Sequence, residues 1–594
     1  MNVLFVKYIS DQQTAEISTD SSNSAWVEIR RAYEERTEEL INISPMVFTV
    51  PWWIFLSCRK SLKYLVDKHS INLNLSSDVT ALLKKALENE TIYKTSLQSS
   101  LPNQDIESKL KSLGFSRNLT PEQKQNITKL FSLSAGADFS VPGSGKTTEA
   151  LAYYFLKKEN DTRLLVVAPK NAFAAWDEQI SICAPNSKLE MIRLRGGVEN
   201  IKSLLDKKPK CMLITYHQLI NAKNEIANFM SSMPTIMVLD ESHRIKRGIE
   251  GGIGSAVLSL SHIPKAKMIL SGTPLPNEIS DLIPQFSFLY PEIYVDNDNV
   301  TQLIKPIYVR TTKNQLHLPK IDRKIIEVEM NPNQRKFYQL LRYEEARMLE
   351  KSLSALGRIG LRYIGRSVLK VLQLVSNPLL LAKSDLADYD LLKEVLDEGD
   401  SPKIQFVCNR ARQLAKEGKK VVIWSSFVEN VELISRRLSD LGADYIHGGV
   451  EAGSDEEEDT RESKIKRFHD DSKAFVLVAN PAACAEGISL HTVCHNAIYL
   501  DRNYNAAQYL QSEDRIHRIG IKPDEITTVE IVQCPDSIDD SVNGRLIKKT
   551  ALMGKVLSDP ELEIEPPVVE NLDEDGLDAE DIKDYLKHLK GEFV

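Results

Sequence analysis

From residue 119 onward the chain alternates between short, uninterrupted apolar runs and longer segments with helical periodicity. The runs at 164–168, 212–215, 236–239 and 268–270 are bounded by turn-forming residues and separated by helical stretches. Such alternation predicts a parallel sheet in an α/β layer fold. A second block repeats it, with runs at 421–424, 474–478, 497–500 and 527–532. Between the blocks, 335–381 turns helical (QRKFYQLLRYEEARMLEKSL, then VLKVLQLV). The simplest account is two similar α/β lobes with parallel sheets, joined by a helical bridge. Residues 1–118 hold apolar runs and helix-like stretches but no readable chemistry, so they form an N-terminal accessory region.

Length adds that three to five domains are expected from 594 residues. The composition, 42% hydrophobic and 27% charged, is that of an ordinary soluble protein. The start, MNVLFVKYIS, has an apolar cluster without a processing site, so no signal peptide is expected. The longest apolar stretch, VFTVPWWIFL at 47–56, is too short to span a bilayer and contains Pro51. Seven scattered cysteines with no CxxC spacing fit a reducing compartment, with neither disulfides nor a zinc site.

The net charge of -8 argues against a nucleic-acid partner only until it is divided. Residues 558–594 hold thirteen Asp/Glu against three Lys/Arg, a net of -10, which leaves the rest of the chain at +2. A near-neutral body can bind phosphates through a locally basic surface. The acidic tail reads as a solvated segment.

Chemistry enters at 140–148, SVPGSGKTT, which has the form of a phosphate loop opening a helix. Gly143, Ser144 and Gly145 would let backbone N–H groups close around phosphate oxygens. Lys146 would neutralise the β- and γ-phosphates of ATP, Thr147 would ligate Mg²⁺, and Thr148 would complete the nucleotide-binding set. At 238–243 the sequence is VLDESH. Acidic residues at the end of a buried strand suit a metal at the sheet's carboxyl edge. Asp240 would hold Mg²⁺ through water, and Glu241 would orient and deprotonate the attacking water. Far downstream lies QSEDRIHRIG, 511–520, where helical spacing would put Gln511, Arg515 and Arg518 on one face. Two guanidinium forks suit the charge of a transferring phosphoryl group. On its own, an arginine pair on a helix is more often a solvated surface.

The ordered set of segments resembles the Swi/Snf family of superfamily 2 ATPases, the double-stranded-DNA translocases. The segments are LTPEQ (119–123), SVPGSGKT, VVAPKNAFAAWDEQ (166–179), ITYH (214–217), DESHRIKR (240–247) and LSGTPLPNEISDL (270–282). VRTTK (309–313), LPKIDRK (318–324), VVIWSSF (421–427), ANPAACAEGISL (479–490) and QSEDRIHRIG follow. The resemblance covers 119–555 and implies two RecA-like lobes, at 119–300 and 401–557, with a linker and helical protrusion at 301–400. It implies that Gln123 reads the adenine and that Gly487 belongs to the ATP site. His243, Ser271, Thr273 and Gln511 would couple hydrolysis to movement. Pro169, Lys170, Thr215, Ser425, Ser426 and Ser489 would lie along the DNA backbone, whereas Trp424 reads as a core aromatic. Arg515 and Arg518 would be arginine fingers, making lobe closure a condition for hydrolysis.

Several positions depart from the family. Ser140 and Val141 stand where acidic residues are usual, Ser242 replaces an alanine, Ile521 replaces a glutamine, and Glu486 is atypical. The short bridge resembles compact bacterial or annealing-helicase-like members. The expected activity is ATP-driven movement along duplex DNA, with contacts to phosphate independent of sequence. The expected location is cytoplasmic, or at the nucleoid in a bacterium. A protein partner supplying specificity, in bacterial DNA repair or restriction-type defence, is the setting the analogy suggests. Two other readings stay open: a true DNA or RNA helicase that separates strands, and a nucleotide-gated clamp on DNA or protein.

Overall fold

The computed structural model describes residues 3–37, 39–96, 106–187, 189–319, 321–352, 358–382, 389–450, 459–484, 489–518, 520–522, 525–557 and 579–591. The chain forms two compact units, Met1–Thr312 and Lys313–Val594.

The first unit begins with a five-stranded sheet: β1 (Val3–Ile9), β2 (Thr14–Thr19), β3 (Ile41–Ser44), β4 (Val47–Pro51) and β5 (Asn72–Leu75). The strand order is β3-β4-β2-β1-β5, antiparallel except for β1 with β5. The apolar stretch at 47–56 splits at Pro51, which ends β4 and directly precedes the helix Trp52–Lys68. A proline has no N–H to donate, so it suits a strand end and a helix start. Among the described residues no helix is long and apolar enough to cross a membrane. This N-terminal layer is bonded to the rest of its unit: the Tyr8 hydroxyl meets His262 Nε2 at 2.8 Å, and Lys85 Nζ donates to the carbonyls of His262, Ile263 and Pro264.

The unit continues as a seven-stranded sheet. Its strands are β6 (Ala135–Asp138), β7 (Arg163–Val167), β8 (Met191–Arg193), β9 (Cys211–Ile214), β10 (Thr235–Asp240), β11 (Ala266–Leu270) and β12 (Tyr308–Val309). The order is β12-β6-β11-β10-β7-β9-β8, and all the pairings are parallel. Every residue of β6, β7, β9 and β11 is buried. Helices cover both faces of such a sheet, which is why its strands read as continuous apolar runs rather than alternating ones.

The second unit holds β13 (Ile321–Glu327), β14 (Val421–Trp424), β15 (Asp444–Ile446), β16 (Val476–Ala479), β17 (Asn496–Tyr499) and β18 (Thr527–Gln533). Their order is β13-β18-β17-β14-β16-β15, again parallel throughout. Successive strand residues point to opposite faces. Accordingly Val422 and Trp424 join one core cluster, and Val421 and Ile423 the other. Trp424 is fully buried. The stretch 301–400 divides between the units: β12 extends the first parallel sheet, β13 forms an edge of the second, and the helices Pro332–Ser352 and Arg358–Ser376 follow. The expected fold class, α/β with two parallel-sheet lobes, is what the strands form.

The tail departs from the solvated segment expected of it. Residues Ala579–Lys590 form a helix whose Asp581 is fully buried between Arg545 Nε, at 2.6 Å, and Lys549 Nζ, at 2.8 Å. Tyr585 bonds the Ser367 hydroxyl at 2.7 Å, and Tyr338 bonds His588 Nε2 at 2.6 Å. Net charge misleads here because the helix turns two carboxylates, Asp581 and Asp584, a tyrosine and a histidine inward.

Candidate functional site: the phosphate loop and the arginine segment

The phosphate loop runs from the end of β6 into the helix Lys146–Lys157. Gly143 and Gly145 take φ of +86° and +93°, a region that glycine enters without strain. A Cβ on Gly145 would stand 2.3 Å from Gln123 Nε2, so side-chain space is also closed there. Lys146 Nζ donates to the carbonyls of Ser140 and Val141, at 2.8 and 3.2 Å, and so folds back over its own loop. Gln123 forms a capping box with Thr120 and donates to the Ser144 carbonyl at 2.9 Å. Its carboxamide therefore joins the helix start to the loop. Thr148, buried, donates to Gln179 Oε1 at 3.0 Å, and Thr147 is half-buried.

Two buried carboxyls lie behind the loop. Asp138 Oδ1 accepts the Ser140 amide at 2.9 Å. Burial raises the Asp138 pKa, and Lys146 opposes that shift. Glu149 is pushed well above the usual range by burial and by Asp138, with Asn126 offsetting part of it. The hydroxyls of Ser144 and Thr273 are buried and have no hydrogen-bond partner among the described residues. Unpaired buried donors beside a loop of backbone amides fit a phosphate-bearing ligand.

At the end of β10, Asp240 Oδ2 accepts the Trp176 indole N–H at 2.8 Å, and Oδ1 accepts the Glu241 amide at 3.1 Å. Glu241 adopts φ +53° and ψ 54°, a left-handed conformation rare outside glycine and asparagine. That turn aims consecutive carboxylates differently. His243 Nδ1 lies 3.1 Å from Ser271 Oγ and 3.4 Å from Glu241 Oε2. Burial, with Arg244 and Lys246 nearby, lowers the His243 pKa to about 3. The ring is therefore neutral, and its approach to Glu241 is not an ion pair. Ser271 closes the group: its amide donates to the Asp138 carbonyl at 3.1 Å, and its hydroxyl accepts the Thr273 amide at 3.2 Å. A Cβ on Gly272 would stand 2.8 Å from Pro142 Cδ, so the SGT segment lies flat against the phosphate loop. Ser242 donates to Gln285, whose amide holds the Pro274 and Asp281 carbonyls.

Lys146, Thr147, Asp240, Glu241, His243, Ser271 and Thr273 thus come from the carboxyl ends of β6, β10 and β11. Ligands bind at that edge in open parallel sheets. A donor set of one hydroxyl and one carboxylate fits Mg²⁺, which keeps several waters and takes its remaining oxygens from phosphate.

In the second unit the arginine segment differs from expectation. The helix Ala506–Glu513 stops before Arg515, so Gln511, Arg515 and Arg518 do not share a continuous helix face. Tight bonds replace the helix: the Arg515 amide to the Ser512 carbonyl, and the Ile516 and His517 amides to the Glu513 carbonyl. Ion pairs hold the residues at the stop. Glu513 is fully buried against Arg323, with two bonds of 2.8 and 2.7 Å, and Asp514 meets Lys313 at 2.7 Å. Burial alone would raise Glu513, but Arg323 and Lys313 outweigh it and hold the carboxyl at about 2. Gln511 and Arg515 are buried, and Arg518 is half-buried. Arg515 Nε bonds the Gln511 carbonyl at 3.0 Å.

The DNA-side set is uneven. Lys170 is exposed, and Thr215, Ser426 and Ser489 are half-buried, whereas Pro169 is buried. Thr215 caps the helix Tyr216–Asn221. Ser425 is a correction: it is fully buried and donates to Asp501 Oδ2 at 2.7 Å, so it faces the interior. Asp501 also accepts the Ser426 amide at 2.7 Å, which is what turns this loop inward. Ser489 Oγ pairs with His491 Nδ1 at 2.8 Å. Gly487 lies outside the described residues. Sequence reasoning missed Trp176, Lys313, Arg323 and Asp501 as site-building residues. The first three sit inside segments whose family pattern was legible, and Asp501 follows closely on β17.

Comparison with known proteins places these segments. The SNF2-related domain matches residues 139–300, and the helicase conserved C-terminal domain matches 402–520. A probable ATP-dependent DNA helicase of Arabidopsis thaliana, CHR23, is 24% identical over 470 residues, spanning 70% of this chain and 40% of its own length. The ISWI chromatin-remodeling complex ATPase ISW1 of Saccharomyces cerevisiae is 25% identical over 478 residues, spanning 73% of this chain and 40% of its own. The chain thus spans about two fifths of the length of these two relatives. Among solved structures, the Sulfolobus solfataricus SWI2/SNF2 ATPase core in complex with dsDNA aligns with 76% of this chain and 96% of its own, at 22% identity and a TM-score of 0.32. The phosphate loop and DESH box thus lie in an SNF2-related domain and the arginine segment ends a helicase conserved C-terminal domain, so the chain carries the two domains of a Swi/Snf-type helicase-like ATPase.

Proposed function

We propose that the protein hydrolyses ATP and uses the energy to move along duplex DNA. The observation that carries this is the single hydrogen-bonded group formed by the phosphate loop, the DESH turn and the SGT segment. Ser271 bonds both Asp138 and His243, so a change at the nucleotide has a direct route into the strand ends. Lys146 leaves the Ser140 and Val141 carbonyls and binds the β- and γ-phosphates, and the loop amides take the remaining phosphate charge. Thr147 and Asp240 would hold Mg²⁺, which would supply charge neutralisation of the phosphate oxygens. Glu241 orients the attacking water and accepts its proton. Arg515 and Arg518 stabilise the charge that builds on the transferring phosphoryl group.

Movement along DNA follows the family likeness. Exposed Lys170 is the described DNA-side residue best suited to a phosphate contact, and such contacts are salt-sensitive and blind to sequence. The partner-directed setting, in DNA repair or defence, rests on family analogy alone.

The test is steady-state ATPase activity with no nucleic acid, single-stranded DNA, duplex DNA and RNA, followed by a series of duplex lengths. Stimulation by duplex DNA that grows with length supports a translocating motor. Early saturation with length favours a static clamp, and separation of tailed duplexes favours a helicase. Unchanged turnover in both Lys146→Ala and Glu241→Gln would sink the assignment.

A further inference from the structure

The segment between the phosphate loop and the second sheet is bonded at both of its ends to functional parts. At its start, Thr311 makes three bonds to the loop's surroundings. Its amide donates to Ser140 Oγ at 2.9 Å, its carbonyl accepts the Val141 amide at 3.0 Å, and its hydroxyl accepts Asn126 Nδ2 at 3.0 Å. Ser140 is one of the positions where the chain departs from the family's acidic residue, and a serine hydroxyl can accept the Thr311 amide at this distance. Two residues further on, Lys313 pairs with Asp514 at 2.7 Å and approaches Glu513 at 3.5 Å. The Pro319 carbonyl meets His517 Nε2 at 2.6 Å. Arg323 grips Glu513 with both Nε and a terminal nitrogen. The partners of Lys313, Pro319 and Arg323 therefore all fall in the short stretch 513–517, and Ile516 in the same stretch is fully buried in the core of the second unit.

Such anchoring answers a physical problem. After Glu513 the chain is no longer helical, so Arg515 and Arg518 lack the helix that would fix their direction. A bidentate guanidinium–carboxylate pair is the strongest geometric restraint available to a non-helical turn. We propose that Lys313 and Arg323 are positioning residues for the arginine segment. This deepens the ATPase reading and rests on it. Lys313 and Arg323 set the arginines through Asp514 and Glu513. Neither Lys313 nor Arg323 needs to touch nucleotide for this.

The experiment uses the full chain with Arg323→Gln and Arg323→Lys, each alone and combined with Arg518→Ala. Arg323→Gln lowers kcat by about tenfold or more while KM for ATP stays within about twofold. Arg323→Lys, which keeps one charged bond to Glu513, recovers most of the loss. The double variant Arg323→Gln/Arg518→Ala turns over no more slowly than Arg518→Ala alone, because the two residues act in one chain of contacts. Losses that multiply in the double variant, or a KM that rises in step with the fall in kcat, overturn the proposal. Amide hydrogen exchange at 515–517 gives a readout independent of turnover. Faster exchange there in Arg323→Gln, with β14 still protected, supports positioning; unchanged exchange overturns it. Should the wild-type chain show no ATPase activity, the functional reading fails and the exchange result still decides the positioning role. Should Arg323→Gln not fold, Arg323→Lys decides by the same kcat–KM split and the same exchange.

Discussion

The phosphate-loop half and the arginine half of this protein fix their functional groups by different means. Around the loop, the fixing bonds are largely neutral in their donors: the Trp176 indole to Asp240, the Ser271 hydroxyl to His243, and the Ser242 hydroxyl to Gln285. Around the arginines, ion pairs do the fixing: buried Glu513 with half-buried Arg323, and buried Asp514 with half-buried Lys313. The contrast suits the proposed function: a lysine and two carboxylates that would meet nucleotide, metal and water would lose reactivity if locked into ion pairs, and neutral donors aim them instead. Buried pairs are costly to desolvate and give direction more than stability, which suits a non-helical turn.

The largest effects should come from the loop half. Lys146→Ala and Glu241→Gln are expected to lower turnover by about a hundredfold or more with little change in melting temperature. Equal loss of folding, read by thermal melting, would show these residues to be structural instead. Next in size, Asp581→Ala removes the carboxylate from a buried site and leaves Arg545 and Lys549 facing each other. The expected cost to the second unit is about 3 kcal/mol, read as a lower denaturant midpoint. A cost under about 1 kcal/mol would weaken the claim that charge pairing organises this unit.

A smaller loss should follow Trp176→Phe, which keeps an aromatic ring and deletes the N–H that aims Asp240. Turnover is expected to fall by about tenfold and to be partly recovered at high Mg²⁺. Loss that Mg²⁺ does not touch would remove Trp176 from the metal's support. The smallest effect is pH-dependent. His243 is held neutral with a folded pKa of about 3, below its ordinary 6.5. A depressed value contributes stability that is full above about 6.5 and is lost as pH falls toward about 3. Between about pH 6.5 and about pH 5.5 this amounts to about 1 kcal/mol, measured by denaturation. His243→Asn should lack that slope, and an unchanged slope would contradict the neutral-donor account of this half.

Both parallel sheets were legible because their strands are buried on two faces and show as unbroken apolar runs, as at 164–168 and 421–424. The phosphate loop and DESH box were legible because glycines, a lysine and paired acids at fixed spacing have few other uses. The end of the helix at Glu513 was not. The spacing of Gln511, Arg515 and Arg518 suits a helix, and the residues where it ends pair with Lys313 and Arg323, distant in sequence. Ser425 was placed along DNA by the family resemblance, and its buried partner Asp501 lies far along the chain. The helix Ala579–Lys590 was hidden by its net charge, since only Asp581 among its described carboxylates is fully buried. The N-terminal region carried no motif, and its links to His262 and Leu303 pass through isolated side chains, Tyr8 and Lys85 to the first and Tyr93 to the second.

The most direct test of the division between the two halves is Arg518→Ala, with ATP affinity and turnover measured on the same preparation. The account predicts that affinity for a non-hydrolysable ATP analogue stays within about threefold while duplex-stimulated kcat falls by about a hundredfold or more. Parallel loss of affinity and kcat, or turnover near the wild-type rate, would contradict it.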